Sequence, residues 1–236
     1  MSRCILTAEH IRKEYNGTTV LRDVSIHIKK GEIYGLVGKN GSGKTTLFRI
    51  LTGLVQRYSG TVSVGAAGVQ KSKVSAVINT QSLFLNLSAF ENMKVQAFLL
   101  GMHDDSRIRQ TLKTVGLEDC KNKLVKNFSQ GMSQRLKLGI ALLGSPDILI
   151  LDEPVNGLDP EGIAELRELL LRLNQAGGLT ILISSHILSE LEHVATCLGI
   201  LHEGEIVKEV LIQDILRSET TLEQLYMQST KGGNQG

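Results

Sequence analysis

The sequence predicts an α/β fold in which a mainly parallel sheet is flanked by helices, with antiparallel strands ahead of it and a helical arm inserted in it. Three observations carry the prediction. Short apolar runs at Tyr34–Val37, Ile148–Leu151 and Thr180–Ser184 alternate with segments of helical periodicity. The first run enters a glycine-rich turn that opens a helix. Two carboxylates follow the second run directly.

Taken in order, Ile5 to Ile33 alternates apolar and polar residues and is broken at Asn16-Gly17 and Lys30-Gly31, which reads as antiparallel strands and turns. Thr45 to Leu54 has helical spacing, and Val74 to Ile78 reads as a further strand. Leu87 to about Asn127 is helical in pattern, with breaks at Gly101 and Gly116, and forms the inserted arm. Met132–Leu143 reads as an amphipathic helix, and Glu161–Gln175 as another ahead of the strand at Thr180. Gly204 separates Leu198–Leu201 from Ile206–Val210 as a hairpin, and the closing Lys-Gly-Gly-Asn-Gln-Gly reads as disordered. There is no internal repeat.

The chain has 236 residues, 42% of them hydrophobic, enough for one substantial core or one core with a smaller subdomain. Its 26 basic and 24 acidic residues leave a formal charge of +2, so nothing in the balance predicts wholesale nucleic-acid binding. Cys4, Cys120 and Cys197 are odd in number and widely spaced, fitting neither a disulfide framework nor a zinc site, which points to a reduced, cytoplasmic setting. No signal peptide and no membrane-spanning run of about 18 apolar residues is visible, so any membrane role needs a second, spanning chain.

Gly38-Lys39-Asn40-Gly41-Ser42-Gly43-Lys44-Thr45 matches G-x-x-x-x-G-K-[ST] between a predicted strand and a predicted helix. Glycines let backbone amides converge on a polyphosphate, and the helix opening near Lys44 points its positive end at the anion. Lys44 is placed for the β- and γ-phosphates, Thr45 for Mg²⁺, and Thr46 for a neighbouring phosphate oxygen. Asp152 and Glu153 leave the carboxyl end of a buried strand, where nucleotides bind in such sheets. Asp152 would hold Mg²⁺ through its water shell, and Glu153 would polarise an attacking water.

Many nucleotidases share these two motifs; a third is more specific. Phe128-Ser129-Gln130-Gly131-Met132, followed by Arg135, resembles the Leu-Ser-Gly-Gly-Gln signature of the ABC ATPases. It keeps Ser129 and Gly131, which touch nucleotide in that family, and departs from the family form with Phe, Gln and Met at the other places. His186 resembles the family's switch histidine, and Asn156-Gly157-Leu158-Asp159 its D-loop. Tyr15 stands where the family places an aromatic that stacks on adenine. The resemblance spans about Ile5 to Val210. In the family, a Q-loop glutamine precedes by eight residues a segment that here reads Leu87-Ser88-Ala89-Phe90-Glu91-Asn92. That spacing lands on Asn79 as a further metal-site residue, with Gln81 as the alternative.

The resemblance implies a single ABC ATPase domain over 1–236. About 1–86 and 129–210 form the catalytic core with its antiparallel part, about 87–128 the helical subdomain, and about 211–236 a short C-terminal segment. It also implies ATP and Mg²⁺ as ligands, with two ATP molecules sandwiched in a head-to-tail dimer. Each would be held by Lys44 and Thr45 of one chain and by Ser129 of the other. The nearest resemblance within the family is to bacterial ATPases that energise a separate membrane permease exporting drugs or antimicrobial peptides, from the cytoplasmic face of the membrane. A soluble ABC ATPase of cofactor assembly or another non-transport process is the alternative.

Overall fold

A computed structural model describes residues 4–65, 72–78, 83–218 and 220–231. The chain opens with β1 (Cys4–Tyr15) and β2 (Thr18–Lys29), an antiparallel pair joined through Asn16 and Gly17. Both turn residues have positive φ, 48° and 80°, the backbone that tight hairpins require and that Asn-Gly tolerates best. Next come β3 (Ile33–Val37), α1 (Lys44–Leu51), β4 (Ser59–Val64) and β5 (Val74–Val77). The arm carries α2 (Ala89–Leu99) and α3 (Ser106–Thr114), then a short 3₁₀ turn before α4 (Gln130–Leu142). The second half runs β6 (Ile148–Asp152), α5 (Pro160–Gly177), β7 (Thr180–Ser185), α6 (Leu188–Glu192), β8 (Cys197–His202) and β9 (Glu205–Leu211). Helices α7 (Ile212–Leu216) and α8 (Leu222–Lys231) close it.

The described strands form one sheet in the order β4-β1-β2-β9-β8-β3-β7-β6-β5. Strands β8, β3, β7, β6 and β5 pair in parallel, and β1, β2 and β4 pair antiparallel. The two-residue period of a strand splits each parallel strand between two cores. Ile33, Val37, Leu149, Leu151, Ile181 and Ile183 face the core that holds the arm and the second-half helices. Tyr34, Leu36, Ile148, Ile150 and Leu182 face the other core, with Leu47, Phe48 and Ile50 of α1 and the inner faces of β1 and β2. The continuous apolar runs are therefore strands buried on both sides.

Register places the functional edge. Val37 pairs with Ser185 and Asp152 with Ser184, so β3, β6 and β7 end level, and the three loops that follow leave the sheet side by side.

Several boundaries differ from the sequence reading for local reasons. Helix α1 stops at Leu51 rather than Leu54: Gly53 takes φ 76°, and Leu54 is left 66% exposed. Helix α4 begins two residues early because the Ser129 side chain caps it, accepting from the Met132 N–H at 3.2 Å. The tail read as disordered from Lys231 is instead helical up to that residue, and 232–236 lie outside the described residues. Cys4, Cys120 and Cys197 are free thiols. Burial, with Glu32 and Glu209 nearby, pushes Cys197 up to about 12, which leaves it unreactive at neutral pH.

The arm depends on how α2 starts. Ser88 Oγ accepts from the Glu91 N–H at 3.2 Å while the Ser88 N–H donates to Glu91 Oε2 at 2.7 Å, a reciprocal capping box. The Ser88 backbone N–H and then its hydroxyl hold the Glu91 carboxyl below its usual range. The box is therefore fully formed above the ordinary carboxylate pKa and is lost as pH falls through the depressed one. We expect Ser88→Ala to cost about 1 kcal/mol in urea unfolding at neutral pH.

Candidate active site

The turn after β3 is shaped by what glycine alone can occupy. A Cβ on Gly38 would sit 2.5 Å from the Leu201 carbonyl oxygen and 2.6 Å from Ser42 Oγ. Gly43 has φ 109°, and a Cβ there would come within 2.6 Å of Leu21 and 3.1 Å of the Val20 carbonyl oxygen. The loop thus lies flat against β2 and the end of β8, while Gly41 (φ 83°) faces open space. Gly43 caps α1 without a side-chain acceptor, so the first-turn amides of Lys44, Thr45 and Thr46 are left for an outside acceptor. Lys39 and Asn40 are exposed on the loop's outer limb.

Lys44 is only 5% exposed. Its Nζ donates to the carbonyl oxygens of Gly38 at 2.6 Å and Lys39 at 3.2 Å, and stands 3.2 Å from Glu153 Oε1. Glu153, 8% exposed, places its other oxygen 2.7 Å from His186 Nδ1. Its backbone takes φ 50°, a left-handed conformation that costs free energy in a non-glycine residue. Asp152, buried at the end of β6, accepts from the Thr45 hydroxyl at 2.7 Å and the Ser184 hydroxyl at 2.8 Å. Ser184 in turn accepts from the Glu153 N–H at 2.9 Å. The sequence reading missed Ser184, which fastens both carboxylate-bearing residues to β7; its only signal was a polar residue ending an apolar run.

A second group gathers in another cleft of about 410 Å³, lined by Ser129, Gln130, Gly131, Gly157, Asp159 and Arg135 among others. A Cβ on Gly131 would meet only Ser129 Oγ, at 4.0 Å, so this chain's own packing does not demand glycine there. The Asp159 carboxylate accepts from the Gly162 N–H at 2.9 Å and caps α5. Tyr15, 40% exposed, ends β1 with the Lys13 ammonium 4.5 Å from its ring centre. The hairpin that carries it continues into Val20 and Leu21, the residues that abut Gly43. Asn79 and Gln81 lie outside the described residues.

The donor set fits a polyphosphate with a divalent cation. It offers a buried ammonium, uncapped helix amides, the buried Ser42 hydroxyl that has no hydrogen-bond partner among the described residues, and the Thr45–Asp152 pair beside them. Among the described residues, no group of three or more His, Cys, Asp or Glu side chains forms a metal cage of its own.

Strand, phosphate-cradling loop and helix, with an acidic pair ending a neighbouring parallel strand, define a phosphate-loop nucleotidase. The model of the ABC transporter family matches residues 21–156, and the chain belongs to that family. It is 41% identical over 217 residues to a bacitracin transport ATP-binding protein of Enterococcus faecalis, covering 89% of this chain and 70% of the relative. It is 45% identical over 208 residues to a lantibiotic transport ATP-binding protein of Streptococcus pyogenes, covering 87% and 90%. Among solved structures, an ATP-binding subunit of an ABC transporter superposes with a TM-score of 0.81 at 28% identity, over 95% of this chain and 99% of that one. The cbiO1 subunit of a Clostridium perfringens ABC transporter complex gives 0.82 at 26%, over 96% and 94%. The α/β fold with its mixed, mostly parallel sheet is that of ABC ATPase domains.

Ser184→Ala removes one acceptor and one donor from a fully buried position and strips Asp152 of a partner. It should destabilise the chain by about 1–3 kcal/mol in denaturant unfolding, whereas an exposed serine such as Ser189 should tolerate alanine.

Proposed function

We propose that this chain binds and hydrolyses ATP as the energising subunit of a membrane exporter of drugs or antimicrobial peptides, working as a head-to-tail dimer on the cytoplasmic face. The observation that carries the reading is the array of buried Lys44 and Glu153 with the more exposed His186 at the level ends of β3, β6 and β7. The names of the bacitracin and lantibiotic relatives supply the transport class.

In this reading Lys44 binds the β- and γ-phosphates, helped by the amides of the 38–46 loop and the Thr46 hydroxyl. Tyr15 stacks on the adenine. Thr45, Asp152 and Asn79 are the residues that would hold Mg²⁺, and the ion would neutralise charge on the phosphates. Lys44 is the hinge of the chemistry. As a γ-phosphate draws its ammonium away from Glu153, that carboxylate becomes free to accept a proton from the attacking water. His186, now beside Glu153, then orients the carboxylate and donates toward the γ-phosphate. Ser129 and Gly131 cap the nucleotide of the partner subunit, and Asp159 crosses the interface beside them.

The membrane partner docks on the arm. A groove of about 490 Å³ runs along α2, lined by Leu87, Val95, Phe98, Leu99 and Met102 with Glu91 and Lys94 on its wall. Phe98 is 73% exposed, a cost to solubility that a docked permease segment would remove. No helix among the described residues is long and apolar enough to cross a membrane, so spanning falls to that partner.

Two substitutions separate binding from chemistry. Lys44→Ala should weaken ATP binding by about 100-fold or more, since charge-assisted contacts to the phosphates are lost; unchanged affinity in an equilibrium titration contradicts the loop assignment. Glu153→Gln should retain binding, lower turnover by about 10²–10⁴-fold and accumulate an ATP-bound dimer seen in size-exclusion chromatography. Wild-type turnover in that variant removes Glu153 from the base role. Expression with its neighbouring genes and recovery from detergent-solubilised membranes tests the transport reading. A co-purifying permease supports it, and an active chain found only with soluble partners refutes it.

A further inference from the structure

The helix that starts after Ser129 and the loop that leads to Asp159 meet within one chain through Gln130, one of the residues by which this sequence departs from the family signature. Gln130 opens α4, directly after the Ser129 cap. Its side chain fills the space that a side chain at Gly157 would take: a Cβ on Gly157 would sit 2.5 Å from Gln130 Oε1, 3.3 Å from Cδ and 3.5 Å from Nε2. Gly157 stands at the apex of the 153–159 loop with φ 79°, a conformation that glycine adopts without strain. Below the apex, the Asn156 N–H donates to the Glu153 carbonyl oxygen at 3.2 Å and the Leu158 N–H to the Val155 carbonyl oxygen at 3.1 Å.

Further along the same cleft, Arg135 Nη1 of α4 stands 3.4 Å from Glu165 Oε2 of α5, a second tie between the two elements. The contact at Gln130 is of a different kind. Gln130 and Gly157 are both exposed, on the surface where Ser129 and Asp159 are exposed too. Holding an exposed glutamine still costs rotamer entropy, and resting it on a glycine buries little area in return, so the contact adds little to the stability of the single chain. What it does set is the position of the loop that ends at Asp159 relative to the helix start that carries Ser129.

We infer that Gln130 is a positioning residue for dimer closure, a latch that holds the 153–159 loop against the start of α4 so that Ser129 and Asp159 meet the partner subunit as one preformed surface. The inference rests on the dimer reading above. Association costs free energy for every loop and side chain that it must order, and a loop already held by Gln130 has less freedom left to lose at that step. Nucleotide binding by the separate chain goes through Lys44, Thr45 and the 38–46 loop, whereas the latch lies in the other cleft. Removing it therefore weakens closure and leaves the first binding step as it was.

The test places Gln130→Ala and Gln130→Met in the full-length Glu153→Gln chain and follows ATP-dependent dimerisation by sedimentation. ATP affinity of the dilute chain and the nucleotide-free thermal midpoint are measured alongside. Alanine keeps the helix start and removes the latch. The dimer dissociation constant should rise about three- to tenfold, the scale of ordering one or two more side chains, with affinity and midpoint close to the parent's. Methionine matches glutamine in length and should bring dimerisation back near the parent level, because the latch acts by filling the space beside Gly157. A Gln130→Ala chain that dimerises as tightly as its parent, or more tightly, overturns the inference. So does a Gln130→Met chain no better than alanine, which assigns the effect to the amide group, and so does a Gln130→Ala chain with lowered ATP affinity or midpoint, which makes Gln130 part of the nucleotide site or of the fold. A Glu153→Gln parent that stays monomeric with ATP instead refutes the dimer reading on which the inference stands, so the two failures are distinguishable.

Discussion

The structure depends on two opposite charges held almost out of water, the Lys44 ammonium and the Glu153 carboxylate, 3.2 Å apart. Burying an ion costs several kcal/mol, and a buried pair recovers that cost only when the surrounding geometry is tightly fixed. Here the geometry is fixed by register: β3 delivers the lysine, β6 the glutamate, and β7 between them the Ser184 hydroxyl and His186. Strained or glycine-only backbone at Glu153 and Gly43 tightens it further. Such an arrangement adds little net stability over an apolar substitute. In the reading proposed above its rationale is chemical: an anion entering the loop would compete with Glu153 for the same ammonium.

The second polar group, around Ser129 and Asp159, is tied to the first by short stretches of chain. Only the residues between Glu153 and Asp159 separate the carboxylate from the cap of α5. Arg167 of α5 also faces Glu190 of α6 at 3.8 Å, joining the helix after Asp159 to the helix after His186. The side chain of Gln130, where the family signature has glycine, lies against Gly157, so this chain's departure from the signature contacts its own D-loop.

Much of this was legible in the sequence. Runs such as Ile148–Leu151 could be read as doubly buried strands, and Asn16-Gly17 and Gly204 announced their hairpins because few other residues accept positive φ. The phosphate loop, acidic pair and His186 were readable as types in order, but their mutual distances were not. Nothing in Leu151-Asp152-Glu153-Pro154 signals a left-handed glutamate. Helix starts were missed where a side chain such as Ser129 recruits residues ahead of the apolar pattern. Helix α8 was missed although Leu222, Leu225 and Tyr226 have helical spacing: what orders it is docking against α6 and β8, and sequence spacing does not reveal a docking site.

The central claim, that each nucleotide is shared between Lys44 of one chain and Ser129 of the other, is tested most directly by complementation. A chain with Lys44→Ala and a chain with Ser129→Arg are assayed for ATP hydrolysis alone and mixed. A head-to-tail sandwich predicts two inactive proteins whose mixture recovers activity, because each heterodimer regains one intact composite site. A mixture no more active than the sum of its parts contradicts the shared site and confines the chemistry to a single chain.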